Sequence, residues 1–341
     1  MDSREVSTEG CPGSIFSMFT DNEFDLCFPQ LGNISCRKPS TEGLLTYSLL
    51  PVITIFTVLL NLIVIISISY FRQLHTPTNF LLLSLAVSDN LVGLLIIPGE
   101  FYRLTSCWSL GVHLCSFCIY TTYFVSSAAV YNMVMISIDR YVAICYPLHY
   151  NTKVTVKRIQ CCVCLCWLLL LAYCGFILSD VLIHPESSCD GECVFMLKYS
   201  KGLLDLLVAF ILPLSIIVTL YVRVFVVAVS QARAMRSHVT HGKRQRSLPL
   251  GARRSELKAA TTLGVVVLVF LICFCPYFAV SQVYDFFQND LLTIYTVYLY
   301  YSNSLINPLI YAFFYPWFRK GFKHIVTLRI LQPGSFEINI L

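Results

Sequence analysis

The chain reads as an all-α membrane protein, a bundle of seven transmembrane helices with a short amphipathic C-terminal helix. Three observations carry that reading. Of 341 residues, 57% are apolar and only 13% charged, with a mean hydropathy of +0.71, too apolar for a soluble domain of this size. The apolar residues gather into seven runs, each long enough to cross a hydrocarbon core, which takes about 20 residues at about 1.5 Å each. Lysine and arginine crowd the connections on one side, as the positive-inside rule requires of cytosolic loops.

Residues 1–44 are polar and read as an outer tail. They carry the sequon Asn33-Ile34-Ser35, an acceptor for N-glycosylation. Met1 to Asp21 lacks the apolar core of a signal peptide, so the first span is expected to serve as its own insertion signal. The membrane domain, 45–314, holds runs at about Leu45–Tyr70, Asn79–Glu100, Gly111–Cys145, Ile159–Leu182, Gly202–Ser230, Leu257–Tyr284 and Leu291–Phe314. The last segment, 315–341, is expected to hold the amphipathic helix and a cytoplasmic tail. No internal repeat links the two halves, which argues against a transporter.

Basic residues cluster after the fifth run, at Arg233, Arg236, Lys243, Arg244, Arg246, Arg253, Arg254 and Lys258. More follow the third run (Lys153, Lys157, Arg158) and the seventh (Arg319, Lys320, Lys323, Arg329). The other side has few: Arg4, Arg37, Lys38, Arg103, Lys198 and Lys201. The N-terminus is therefore expected outside and the C-terminus in the cytosol, in a multi-pass protein of the plasma membrane. The basic run reads as a solvated, lipid-facing loop; membrane lipid is an expected partner and nucleic acid is not.

The third run, continuing to Pro147, looks like a transmission rod. Cys115 stands at its outer end, Asp139-Arg140-Tyr141 at its inner end. Thr122 precedes Arg140 by eighteen residues, five turns or about 27 Å along one face. The sixteen cysteines divide by location. Cys11, Cys27, Cys36, Cys107, Cys115, Cys189 and Cys193 fall in outer segments; the others fall in spans. Cys161, Cys162, Cys164 and Cys166 spread around a helix rather than converge, which argues against metal. They read as packing residues, with Cys161 and Cys162 as candidates for palmitoylation. Each span also keeps residues that lipid disfavours: Asn61, Asp89, Arg140, Trp167, Asp205 with Pro213, Pro276, and Asn307-Pro308. In a bundle such groups mark function or glue helices together.

Those residues recur in the order and spacing of the rhodopsin-like G-protein-coupled receptors. The resemblance is carried by Leu85-Ala86-Val87-Ser88-Asp89, Asp139-Arg140-Tyr141, Trp167, Pro213, Tyr221, Phe274-Cys275-Pro276 and Asn307-Pro308-Leu309-Ile310-Tyr311, and covers nearly the whole chain. The stretch from Asn303 to Phe318 looks like the fingerprint of trace amine-associated receptors. That family detects volatile or waterborne amines, mostly in olfactory neurons. The resemblance implies a receptor, not an enzyme, with a small amine as agonist and a stimulatory or olfactory heterotrimeric G protein as partner, signalling to cAMP.

Most amine receptors carry an Asp where this chain has Thr122, and a hydroxyl cannot neutralise an ammonium. Asp205, eight residues before Pro213 and so about 12 Å toward the outside, is the expected replacement, as in the branch abundant in bony fish. An acid in the first turns of a helix also suits the macrodipole without any ligand. Tyr123, Ser126, Tyr277, Phe278 and Tyr301 are the other expected ligand contacts. Glu100 and Asp285 are candidates for a second ammonium, or rim residues in water. The shared disulfide of the family implies Cys115–Cys193; Cys27–Cys189 and Cys36–Cys107 are the expected further bridges.

By the same resemblance, Arg140 pairs at rest with Asp139 and with Glu256 at the base of the sixth helix, and Tyr141, Tyr221, Phe274, Pro276, Asn307, Pro308 and Tyr311 serve activation and coupling. Phe274 stands where the family usually has a tryptophan. No cofactor is expected beyond an allosteric sodium at Asp89, Asn303 and Asn307, although Ala129 replaces the serine that the family supplies from the third helix. Pro316-Trp317-Phe318-Arg319-Lys320-Gly321-Phe322-Lys323 resembles the helix that lies on the inner leaflet. A serotonin-like aminergic receptor is the alternative, and Thr122 argues against it.

Overall fold

The computed structural model describes residues 44–183, 193, 197–240, 264–280 and 290–332. Asn33, Cys27, Cys36, Cys189, Glu256 and Asp285 lie outside the described residues. Among those described there is helix and no strand, as expected where lipid leaves backbone N–H and C=O groups no partner but their own chain.

The first span is Leu44–Tyr70 and the second is Pro77–Arg103. The third is Val112–Cys145 and the fourth Val156–Ile177. The fifth is Tyr199–Ser230, with its helix continuing to Thr240. The described part of the sixth is Gly264–Val280, and the seventh is Asp290–Phe314. The first five are long and apolar enough to cross a membrane, and Gly264–Val280 is a shorter apolar helix. The seventh carries Ser302, Asn303, Ser304 and Asn307 in the middle of its 25 residues.

The first span shows how such a bundle is dressed. Leu50, Ile53, Thr57, Asn61, Val64 and Ile68 recur at helical spacing and are buried, whereas Val52, Ile55, Phe56, Leu59 and Leu62 are exposed. The outward stripe is as apolar as the inward one, which suits a surface solvated by lipid tails. The inward stripe is the one with polar atoms: Asn61 donates to the carbonyls of Thr57 and Ser304, both at 2.9 Å. Asn90 of the second span donates to the Val58 carbonyl at 3.1 Å.

Local chemistry sets the helix ends. Thr76 caps the second span by accepting from the Asn79 amide at 3.3 Å, with Pro77 just inside, and Thr155 caps the fourth through the Arg158 amide at 3.4 Å. Capping hydroxyls satisfy amides that the first turn leaves orphaned. The second and fifth spans each contain a widened π-type stretch, Val92–Ile96 and Leu206–Ile211. Both lie just before a proline, Pro98 and Pro213, whose missing N–H and ring disrupt the preceding turn. In the fifth span the loosened stretch is partly repaired from outside: the Tyr131 hydroxyl of the third span donates to the Val208 carbonyl at 2.9 Å.

After Phe314 the chain turns into the helix Pro316–Val326, which buries Trp317, Phe318 and Gly321. It lies against the inner end of the first span. A Cβ on Gly321 would stand 2.7 Å from Ser67 Oγ and 3.3 Å from Ser67 Cβ, so any larger residue would force the Ser67 side chain to move. His324 packs edge-on to Phe71, and Tyr70 donates to the Ile330 carbonyl at 2.9 Å.

Candidate functional site

Asp205 is buried in the outer half of the fifth span. Its Oδ1 accepts a hydrogen bond from the Tyr173 hydroxyl of the fourth span at 3.0 Å. Contacts further out tie the fifth span to the short helix Ser179–Ile183 that follows the fourth. Lys201, one turn before Asp205, donates to Ser179 Oγ at 2.6 Å, pairs with Asp180 at 3.0 Å and lies 5.6 Å from the Phe176 ring centroid. Lys198 joins Asp180 from the other side at 3.2 Å. Among the described residues, no cation is ion-paired with Asp205 itself.

Facing this acid is a set of rings. Tyr123 of the third span is within electrostatic reach of Asp205, Tyr277 and Tyr300. Tyr277 packs on Tyr300 with centroids 4.8 Å apart, and Tyr300 meets Tyr301 edge-on at 5.4 Å. Tyr300 also lies within hydrogen-bonding reach of Ser126. Phe278 stacks on Phe210 at 4.7 Å and touches Phe274, which continues the stack to Phe270 at 4.8 Å. Rings with exposed π faces attract cations. The structure therefore gathers Asp205, Tyr123, Ser126, Tyr277, Phe278 and Tyr301 on converging spans, with half-buried Thr122 beside Tyr123.

Glu100 is no free carboxylate. Its Oε2 accepts from Arg103 Nε at 3.0 Å and Nη2 at 2.8 Å. Over this region lies a cap of Trp108, Cys115 and Cys193, packed with Tyr102, Cys118 and Ile119. Cys115 and Cys193 are disulfide-bonded, Cα to Cα 5.7 Å. Cys107 is also disulfide-bonded, to a cysteine outside the described residues.

Midway down the bundle is a buried polar core. Asn307 donates to Asp89 Oδ2 at 2.9 Å. Asp89 Oδ1, Asn303 Oδ1 and Asn307 Oδ1 are buried with no hydrogen-bond partner among the described residues. One carboxylate and two amide oxygens are hard donors of the kind that hold a small hard cation, so these residues fit a sodium ion. Nearby, Trp167 donates to Ser84 at 3.1 Å and Ser84 to Asn132 at 2.8 Å, tying the second, third and fourth spans together.

At the inner end, Arg140 Nε donates to Asp139 Oδ2 at 3.0 Å, and Nη2 also reaches that oxygen and Thr78 Oγ1. Asp139 Oδ2 accepts from Thr78 at 2.9 Å and Oδ1 from Tyr150 at 2.8 Å. Tyr150 belongs to the short helix Pro147–Lys153 after the third span. Burial, and then the Asp139 carboxylate, push its hydroxyl up to about 12, so it remains a donor at neutral pH. The Tyr221 and Tyr311 hydroxyls are buried without a hydrogen-bond partner among the described residues, Tyr221 within electrostatic reach of Arg140. Tyr141 lies outside this knot, edge-on to Tyr146 at 5.8 Å.

A sequence model of the family described as 7 transmembrane receptor (rhodopsin family) matches residues 60–311. Trace amine-associated receptor 13c of Danio rerio is 36% identical, covering 94% of this chain and 98% of that protein. Trace amine-associated receptor 1 of Mus musculus is 38% identical over 85% and 90%, and trace amine-associated receptor 7e of the same species 35% over 95% and 94%. The chain belongs to the trace amine-associated receptors. It is thus a membrane-embedded member of the rhodopsin family, a receptor rather than an enzyme.

For a trace amine-associated receptor, sequence spacing left several partners unseen. Tyr173 as donor to Asp205, Thr78 and Tyr150 as donors to Asp139, and the Glu100–Arg103 pair all emerge from packing between spans or within one turn. Only the last had a legible signal, since acid and base three residues apart on a helix share a face.

Proposed function

We propose that this trace amine-associated receptor is activated by small volatile or waterborne amines, with Asp205 as the counter-ion. One observation carries the reading: a buried carboxylate, unpaired with any described cation, faces a cluster of tyrosines where the third span offers only Thr122. At an effective dielectric of about 20, an ammonium 4 Å away gains roughly 4 kcal/mol. Tyr173 holds the acid's other side, and Tyr123, Tyr277 and Tyr301 supply ring faces to the ligand. The family and its named relatives support an amine as ligand.

Activation follows from differential affinity for two states of the bundle. Ligand drawn against Tyr277 and Phe278 presses on Phe274, which lies two residues before Pro276 and whose stack leads inward to Phe270. The sixth span then swings outward about Pro276, Tyr221 and Tyr311 turn toward Arg140, and the crevice takes the amphipathic C-terminal helix of a stimulatory or olfactory G protein. cAMP rises. Sodium at Asp89, Asn303 and Asn307 holds the resting state. The receptor works in the plasma membrane, N-terminus outside, in olfactory neurons.

The test is an amine panel on cells carrying a cAMP reporter, wild type beside Asp205→Ala. Removing one partner of a buried charge pair costs about 2–5 kcal/mol, or roughly 30- to 4000-fold in potency. Unchanged potencies in the variant at equal surface expression would remove Asp205 as the anchor.

A further inference from the structure

We propose that Arg103 is a specificity-determining residue: by occupying Glu100 it restricts the ligand cluster to amines with a single ammonium, and it masks a subsite for the second ammonium of a diamine. The proposal rests on Asp205 as the amine counter-ion. Its own basis is the placement of the Glu100–Arg103 pair.

The two residues are three apart on the second span and share a face. Both guanidinium bonds fall on one carboxylate oxygen, and the carboxylate side chain is only 18% exposed. Glu100 is not a rim residue. It lies within electrostatic reach of Cys118 on the third span, one turn before Thr122, of Tyr301 on the seventh and of Tyr277 on the sixth. Tyr277 is in turn within reach of Asp205. A single ring, Tyr277, therefore lies within reach of both carboxylates.

Charge decides what this arrangement accepts. Among the described residues of the cluster, Asp205 and Glu100 are negative and Arg103 is positive, leaving one net negative charge, the complement of one ammonium. A second ammonium would have to displace a guanidinium tethered one turn away, whose effective concentration far exceeds that of any free ligand. It would also meet the positive charge of Arg103 at close range. Without Arg103, the same carboxylate becomes an uncompensated, largely buried anion, and a second ammonium is the natural partner for it. The subsite is thus one substitution from use.

The test uses full-length, epitope-tagged receptor at matched surface expression and two probe series: alkyl monoamines, and α,ω-diamines of the same chain lengths from diaminobutane to diaminooctane. Wild type should respond to monoamines at lower concentration than to matched diamines. Arg103→Gln should lower the EC50 of at least one diamine by about tenfold or more while monoamine EC50 values stay within about threefold. Arg103→Lys, which keeps the charge, should behave as wild type. The double variant Glu100→Gln, Arg103→Gln should lose the gain. If Arg103→Gln is retained inside the cell, Arg103→Met, which keeps the apolar stem, carries the same test.

Several results overturn the proposal: a wild type that prefers diamines, an Arg103 variant in which both series shift alike or neither moves, or a gain that survives loss of Glu100. Asp205→Asn separates this failure from failure of the counter-ion reading. If that reading fails, monoamine responses persist in Asp205→Asn. If only the present proposal fails, they vanish there, yet no Arg103 variant gains a diamine response.

Discussion

At the scale of single residues, one buried carboxylate of the fifth span is held from the fourth. Asp205 accepts from Tyr173 at 3.0 Å, and a hydrogen bond to a charged group is worth about 1.5–3 kcal/mol. Tyr173→Phe deletes that donor and leaves the ring, so amine EC50 should rise by roughly tenfold, far less than for Asp205→Ala, in the same cAMP assay. The inner charged triad has a similar support. Tyr150 donates to Asp139 at 2.8 Å and Thr78 donates at 2.9 Å, and both favour the Asp139–Arg140 pair. Tyr150→Phe should loosen the resting state and raise basal cAMP without moving ligand affinity by more than a few fold. Because that hydroxyl titrates only at about 12, basal activity should show no step from Tyr150 between neutral pH and about 10. Asp205 was conspicuous in the sequence because a lone acid in an apolar run asks for a partner. Tyr173 was not, because a tyrosine in an apolar helix is unremarkable until its neighbour is known.

At the scale of elements, close approaches decide. The helix Pro316–Val326 meets the first span closely at Gly321, where a Cβ would stand 2.7 Å from Ser67 Oγ and 3.3 Å from Ser67 Cβ. Gly321→Val should unseat it, destabilising by about 1–3 kcal/mol, read as a lower melting temperature of the detergent-solubilised receptor. Gly93→Ala should act likewise but more mildly, since it adds a single methyl group, which would meet Val58 Cγ2 at 2.9 Å and Thr57 Cγ2 at 3.1 Å. The helices themselves were legible, since apolar runs of bilayer length form helices wherever lipid is the solvent. The widened turns at Val92–Ile96 and Leu206–Ile211 were not. Pro98 and Pro213 announce a disturbance, but whether the backbone kinks, tightens or widens depends on outside groups such as Tyr131, which reaches the Val208 carbonyl.

At the scale of the whole molecule, the bundle is sewn together at three depths. The outer cap is tied by Cys115–Cys193, the middle by Asp89 and Asn307, the inner end by Thr78, Asp139 and Arg140. Cys115→Ala with Cys193→Ala should sharply reduce surface expression, because removing a native disulfide typically costs 2–5 kcal/mol, measured by tag staining of intact cells. Asp89→Asn should abolish any sodium dependence of agonist potency, read by replacing sodium with choline in the assay buffer.

By itself the sequence determined the class of solvent, the all-helical seven-span class and the family, because these depend on composition, length and order along one chain. It also singled out Asp205 and Arg140, since a charge in an apolar run stands out without any neighbour. Only the tertiary structure decided which groups come together across helices: Tyr173 beside Asp205, Tyr150 beside Asp139, and the Glu100–Arg103 pair within electrostatic reach of Tyr277 and Tyr301. The reason is geometric. The rotation of each helix about its axis is set by packing against its neighbours, and no periodicity within one span records it.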